Sequence, residues 1–182
     1  MIHWLFAAAT AGPLVELETD PSTFAFHGGA LHVRAALPGA ERWAVGLGAY
    51  ALRLPQPMVA LSPANRGEGW TADLFGAGLF VDRYVSAPFT GLSIGAQVAV
   101  HRWSLARPDV ADGDAVASAI LAMPRVGWSW TPFDRLGLYV YPWLGLGLTG
   151  QIGGDAEVGG AAYRIGPVLP FAAVHVGWRF GA

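Results

Sequence analysis

The sequence predicts an all-β protein: one eight-stranded antiparallel up-and-down β-barrel of the transmembrane kind, with residues 1–182 as a single domain. Three observations carry this. Charge is scarce, hydrophobicity alternates with period two, and the connections between the alternating segments are short and long by turns.

Charged residues are 13% of the chain and hydrophobic residues 53%. A soluble domain carries about 25% charged residues to solvate its surface. Mean hydropathy is +0.40, and 25 glycines and eight tryptophans accompany it. The formal net charge of −2 supplies no basic field for a nucleic-acid partner. The absence of cysteine excludes disulfides, thiolate metal sites and cysteine nucleophiles.

Two uncharged runs, 84–101 and 136–154, approach the roughly 20 residues of a spanning helix. Both are interrupted. The second contains Gly137, Pro142, Gly145, Gly147, Gly150, Gly153 and Gly154, and glycine costs a helix interior about 1 kcal/mol and proline about 3. Their period is two. Bulky apolar residues take alternate positions in 92–101, 137–141, 144–148, 43–48 and 174–180, the signature of strands. The intervening positions carry Gly, Gln, His, Arg, Ser and Tyr. A soluble sheet would solvate its outer face with charge. An aliphatic outside and a crowded, partly polar inside fit a membrane barrel better.

Turn residues divide the chain into strand segments 5–19, 24–37, 41–54, 69–85, 89–105, 115–131, 135–150 and 161–180. The connections 38–40, 86–88 and 132–134 are short; 55–68, 106–114 and 151–160 are long. That is the pattern of membrane barrels, whose turns are short on one side and loops long on the other. The N-terminal stretch 5–11 reads either as the end of a leader, with an Ala-x-Ala cleavage site at 9–11, or as an apolar first strand. Phase favours the strand. Segment 24–37 descends to a short turn, so something before Asp20 must ascend, and the count is then even.

The ending Val174-His175-Val176-Gly177-Trp178-Arg179-Phe180 resembles the C-terminal signature of bacterial outer-membrane barrels, with Gly181 and Ala182 after the Phe as a departure. The layout is similar to small barrels of the OmpA-transmembrane, OmpX and OmpW kind. The resemblance implies residence in the bacterial outer membrane, with the bilayer, lipopolysaccharide and the outer-membrane assembly machinery as partners, and a monomeric state. It places Phe180, Trp178, Val176 and Val174 against lipid, and Arg179, Gly177 and His175 toward the lumen.

Alternation extended to the other strands turns His32, Arg34, Asp82, Gln97, His101, Arg125, Tyr139, Tyr141 and Trp143 inward, and puts Glu16 and Glu18 on one face. Depth along each strand gathers His32, Arg34, Asp82, Arg125, Tyr139, His175 and Arg179 in the lumen near the short turns. These seven are the candidate ligand-binding residues. Glu16, Glu18 and His101 are expected higher. Trp128, Trp130 and Trp178 near the short-turn ends, and Trp70 and Trp103 near the long-loop ends, read as interfacial girdles.

An eight-stranded barrel is just wide enough for side chains to fill, and buried charges there must pair. The principal functional reading is a barrel with a filled lumen and a structural or binding role for its loops. A narrow channel or small-ligand carrier using the inner Arg/His/Tyr cluster is the alternative. A lipid-modifying enzyme is a further one, and a lipocalin-like soluble barrel is the architectural alternative. Enzymes of this architecture, lipid A deacylases and palmitoyltransferases among them, use His and Ser. Here His101 and Ser104 fall on opposite faces with no third residue to orient a base, so the sequence points away from catalysis. Of His27, His32, His101 and His175, only His32 and His175 are expected to approach. Two ligands make no metal site, and no cofactor is expected.

Overall fold

The computed structural model describes residues 14–110, 113–133 and 136–181. Eight strands close into a ring: β1 (Val15–Thr19), β2 (Gly29–Leu37), β3 (Ala40–Arg53), β4 (Thr71–Tyr84), β5 (Gly91–Ala106), β6 (Asp114–Phe133), β7 (Leu138–Gly154) and β10 (Val168–Phe180). Sequential neighbours pair antiparallel, and β10 returns to β1 in the register Val15↔Phe180 to Thr19↔Val176. Two short strands, β8 (Glu157–Val158) and β9 (Ala161–Ala162), form a separate hairpin before β10. The expected eight-stranded antiparallel fold is present. No helix among the described residues is long and apolar enough to cross a membrane.

The connections alternate as the sequence predicts. At one end, here the turn end, lie Pro38–Gly39, the link 85–90, and Leu136 and Gly137 between β6 and β7. At the other, the loop end, lie four longer links. The first holds helix α1 (Pro21–Ala25), and the second holds helix α2 (Gln56–Val59) and a 3-10 turn at Pro63–Asn65.

Three expected boundaries change. The first strand begins at Val15, after Leu14, and residues 5–13, with the leader question, lie outside the described residues. The segment 24–37 becomes a strand only at Gly29. Asp20 caps α1 by accepting from Ser22 N at 2.9 Å and Ser22 Oγ at 2.7 Å, with Pro21 at the first helical position where its missing N–H is harmless. His27 leaves the helix with φ +57°; it sits in a turn, not in a strand as expected. Gly28 follows because a Cβ there would collide with the Ala51 carbonyl. Finally, residues 161–162 belong to the β8–β9 hairpin, so the last strand starts at Val168 and β7 runs on to Gly154.

Alternation puts aliphatic side chains outside. Leu79 and Ile94 are each 61% exposed, Leu144 59% and Leu148 58%. Charged side chains on the outer wall stand near its rims. Arg83 is near the turn end, and Arg53, Asp73 and Arg102 are near the loop end. On β5 every outward residue from Leu92 to Val100 is apolar.

The inside is narrow, which explains the glycines on the inward face. A Cβ at Gly46, Gly95, Gly127 or Gly177 would strike Arg34, Asp82, Tyr141 or the Tyr139 hydroxyl respectively. Glycine on one strand makes room for a large side chain on the next.

At the loop end the lumen is capped by an apolar cluster containing Leu54, Val59, Trp70, Leu74, Trp103, Leu105, Tyr163 and Leu169. Trp70 and Trp103 are 1% exposed. They belong to this cap, not to an interfacial girdle as expected. Trp103 shares the inward phase of His101, and Trp70 packs edge-on against Tyr163 at 5.4 Å. Burial in the cap pushes the Tyr163 phenol up to about 12. At the turn end Trp128, Trp130 and Trp178 are exposed as expected, and Trp43 joins them, with Arg83 at 5.9 Å from its ring.

Candidate functional site

The seven candidate residues of the lumen meet at the turn end. Arg34 is fully buried. Its Nη2 makes an ion-pair contact with Glu16 Oε2 at 2.7 Å and donates to Glu18 Oε2 at 2.9 Å. Its Nη1 donates to the Tyr84 hydroxyl at 2.9 Å and lies 3.5 Å from Asp82, and the guanidinium lies 4.2 Å over the Tyr141 ring. Arg125 grips Asp82 with two nitrogens: Nε donates to Oδ1 at 2.9 Å, and Nη2 pairs with Oδ2. Arg179 Nε and Nη2 both donate to Glu16 Oε1, at 3.0 and 2.8 Å.

Three carboxylates, Glu16, Glu18 and Asp82, thus face three guanidinium groups, Arg34, Arg125 and Arg179. The formal charges cancel. Such forked pairs are the strong form of the interaction, and pairing is what makes buried charge tolerable.

Glu16 and Glu18 sit in this cluster, not higher as expected. The depth estimate counted from residue 5, whereas β1 starts at Val15, opposite Phe180. The shift makes Glu18 the hub. Its Oε2 also accepts from the Tyr139 hydroxyl at 2.6 Å, and its Oε1 is 2.8 Å from His175 Nδ1. His175 Nε2 accepts from the Trp143 indole at 2.9 Å. His32 stacks on His175 with ring centres 4.6 Å apart and 14° between planes. His101 does stand higher, with its Nε2 2.6 Å from the Tyr50 hydroxyl. His101 is turned inward and Ser104 outward, as alternation required.

Glu18, His32 and His175 bring possible metal-binding atoms within 4.8 Å of one another. Two of the three donors are already committed. Both His175 nitrogens are bonded, and Glu18 holds Arg34, Tyr139 and His175. A cation would have to break these bonds, so the residues do not fit a resident metal.

Above the charged cluster lies a cavity of about 130 Å³. Its floor includes His32, His175, Gln97, Arg125 and Trp143. Leu52, Leu121, Met123 and Phe171 line its walls, and Leu54, Pro55 and Met58 lie under the cap. The cavity also reaches the barrel's side. β1 pairs with β10 only up to Thr19↔Val176, so the upper part of β10 has no strand on that flank. There α1 stands in the gap, and Asp20, Ser22, Thr23 and Phe26 line the cavity together with 170–173 of β10. Pro170 and Ala172 point outward along β10 while Phe171 and Ala173 point inward, so the cavity wraps the strand's edge.

Backbone bonding identifies that edge. Thr149 N donates to Pro167 O, and Arg179 N to Gly137 O. Odd-numbered residues of β10 therefore bond to β7, and even-numbered ones direct their backbone toward the β1 side. Pro170 is even-numbered, and its missing N–H falls on the open edge, where proline is tolerated. The sequence held this signal, a proline inside the last strand. The reading by turns and alternation alone missed it, along with the wall residues Tyr50, Met123 and Phe171.

In a comparison with known proteins, no family model matches the chain, and no curated protein matches it significantly.

Proposed function

We propose that this chain is a small outer-membrane barrel whose lumen does not conduct, acting as a structural or binding protein through its loops. The observation that supports it most is the outer wall. Apolar side chains stand exposed all around the ring, Leu47, Leu79, Ile94, Leu144 and Leu148 more than half so, and charge stays near the rims. In water this surface would be an exposed apolar patch far beyond the few hundred Å² a monomer shows. In a bilayer it is the expected lipid-facing band, with Trp43, Trp128, Trp130 and Trp178 at one interface. The balanced ion network at one end and the aromatic cap at the other favour a closed lumen over a pore. The layout resembles that of OmpA-transmembrane, OmpX and OmpW barrels at the level of architecture.

The test has two arms. The refolded protein is expected to need detergent or lipid to stay monomeric. Clear monomer in detergent-free buffer would overturn the membrane reading. Reconstituted in planar bilayers, it is expected to give no steady conductance, and frequent openings of uniform size would overturn the closed lumen.

A further inference from the structure

We infer that the side-opening cavity is a binding site for the carboxyl end of a fatty acid, whose chain leaves through the gap between α1 and β10 into the surrounding lipid. The inference rests on the membrane reading, since the gap opens onto the apolar wall.

The cavity floor carries polar groups without protein partners. His32 is only 7% exposed, yet neither ring nitrogen has a hydrogen-bond partner among the described residues, and Nδ1 is wholly buried. Arg125 is 4% exposed. Its Nε and Nη2 hold Asp82, and Nη1 has no hydrogen-bond partner among the described residues. Gln97 adds an amide to the same floor. Buried polar groups are ordinarily satisfied, and His32, with no partner at either nitrogen, borders the same cavity as the unpaired Nη1 of Arg125; together they point to a polar ligand group there. Their chemistry selects a carboxyl group. It accepts from a guanidinium and an amide, and one proton shared between it and His32 keeps the lumen neutral.

The space limits what enters. With about 30 Å³ to a water-sized group, 130 Å³ holds about four such groups, enough for a carboxyl and its first methylenes. The rest of a chain would pass Phe171 and Ala173 on β10 and Phe26 beyond α1, beside Asp20, Ser22 and Thr23, whose polar side chains are bonded within the α1 cap. Outside, Ser22 borders an apolar hollow formed with Trp128, Leu144, Ala172 and Val174, which lies along that exit. Metal binding at Glu18, His32 and His175 does not compete, because the Glu18 and His175 atoms are already bonded and His32 alone makes no site.

The test uses the intact barrel in phosphatidylcholine vesicles and dodecanoic acid carrying a diazirine near its carboxyl end, with labelled residues mapped by peptide mass spectrometry. The expected result is label on the lumen-facing residues Leu121, Met123 and Phe171. Ala173→Phe, which fills the mouth, is expected to reduce that label at least tenfold without changing label on outward Leu144 and Leu146. Gln97→Leu is expected to reduce lumen label several-fold while the barrel stays folded. Label confined to outward residues in the native protein would overturn the site. So would equal lumen label from a matched diazirine alcohol, which lacks the carboxyl. Both outcomes presuppose a vesicle-inserted, protease-protected barrel, so they are distinct from failure of the membrane reading, in which no insertion is seen.

Discussion

The Trp143 indole N–H donates to His175 Nε2 at 2.9 Å, and this one bond settles the state of the imidazole. Indole is a donor only, so Nε2 is the acceptor and the proton is on Nδ1, directed at Glu18. Nitrogen-15 spectra of the folded barrel are therefore expected to show the Nδ1–H tautomer for His175. Trp143→Phe leaves a buried acceptor without its donor, at about 1–3 kcal/mol, read as a lower denaturant midpoint. An Nε2–H signal in the native protein would contradict the assignment.

The Asp82 carboxylate is shared between Arg125 and Arg34. Asp82→Asn leaves two buried guanidinium groups short of one counter-charge, and breaking a buried pair from one side costs about 3–5 kcal/mol. The double variant Asp82→Asn/Arg125→Gln removes one charge of each sign and is expected to recover part of the loss. Denaturant unfolding of the four proteins measures the coupling. Simple additivity of the two single losses would show that the pair is not an energetic unit.

The outer wall offers a test of its solvent. Leu146 lies mid-strand on β7 and Ile152 near the loop end, and both side chains are exposed. In a bilayer, Leu146→Arg costs about 2–4 kcal/mol and Ile152→Arg about 0–1, because the cost of charge depends on depth. In water both are surface changes within about 0.5 kcal/mol. Unfolding from vesicles separates the two, and equal small effects would count against the membrane reading.

Strand number, direction and facing were legible because each rests on a local rule. Alternation placed Arg34, Asp82, Arg125 and His175 inward, and turn chemistry placed the links. Depth along β1 was not legible, because a strand's start depends on where its neighbours end. Sequence alone therefore puts Glu16 and Glu18 too high and hides the hub of the network. Trp70 and Trp103 read as girdle residues in the sequence because a tryptophan near a strand end looks alike whether it turns to lipid or into a cap. The side gap needed the full ring, since a five-residue β1 beside a thirteen-residue β10 is a relation between two strands far apart in sequence. Only Pro170 hinted at it.

Glycine on the inward face has a cost when filled that glycine elsewhere lacks. A Cβ at Gly177 would lie 2.7 Å from the Tyr139 hydroxyl and 2.8 Å from Glu18 Cβ, and would also meet the Leu17 carbonyl. The backbone carbonyl cannot move aside, so Gly177→Ala must push Tyr139 off Glu18 or separate β1 from β10. Overpacking of this kind costs about 1–3 kcal/mol. Gly150 on β7 has nothing within 4 Å of the same added atom. Gly150→Ala is expected to be neutral or to stabilise by about 0.4–1 kcal/mol, through a less flexible unfolded chain. Denaturant midpoints that fall for Gly177→Ala and hold or rise for Gly150→Ala would tie the inward glycines to the space the ion network needs. Equal shifts would mean that the inward glycines are there for backbone freedom alone.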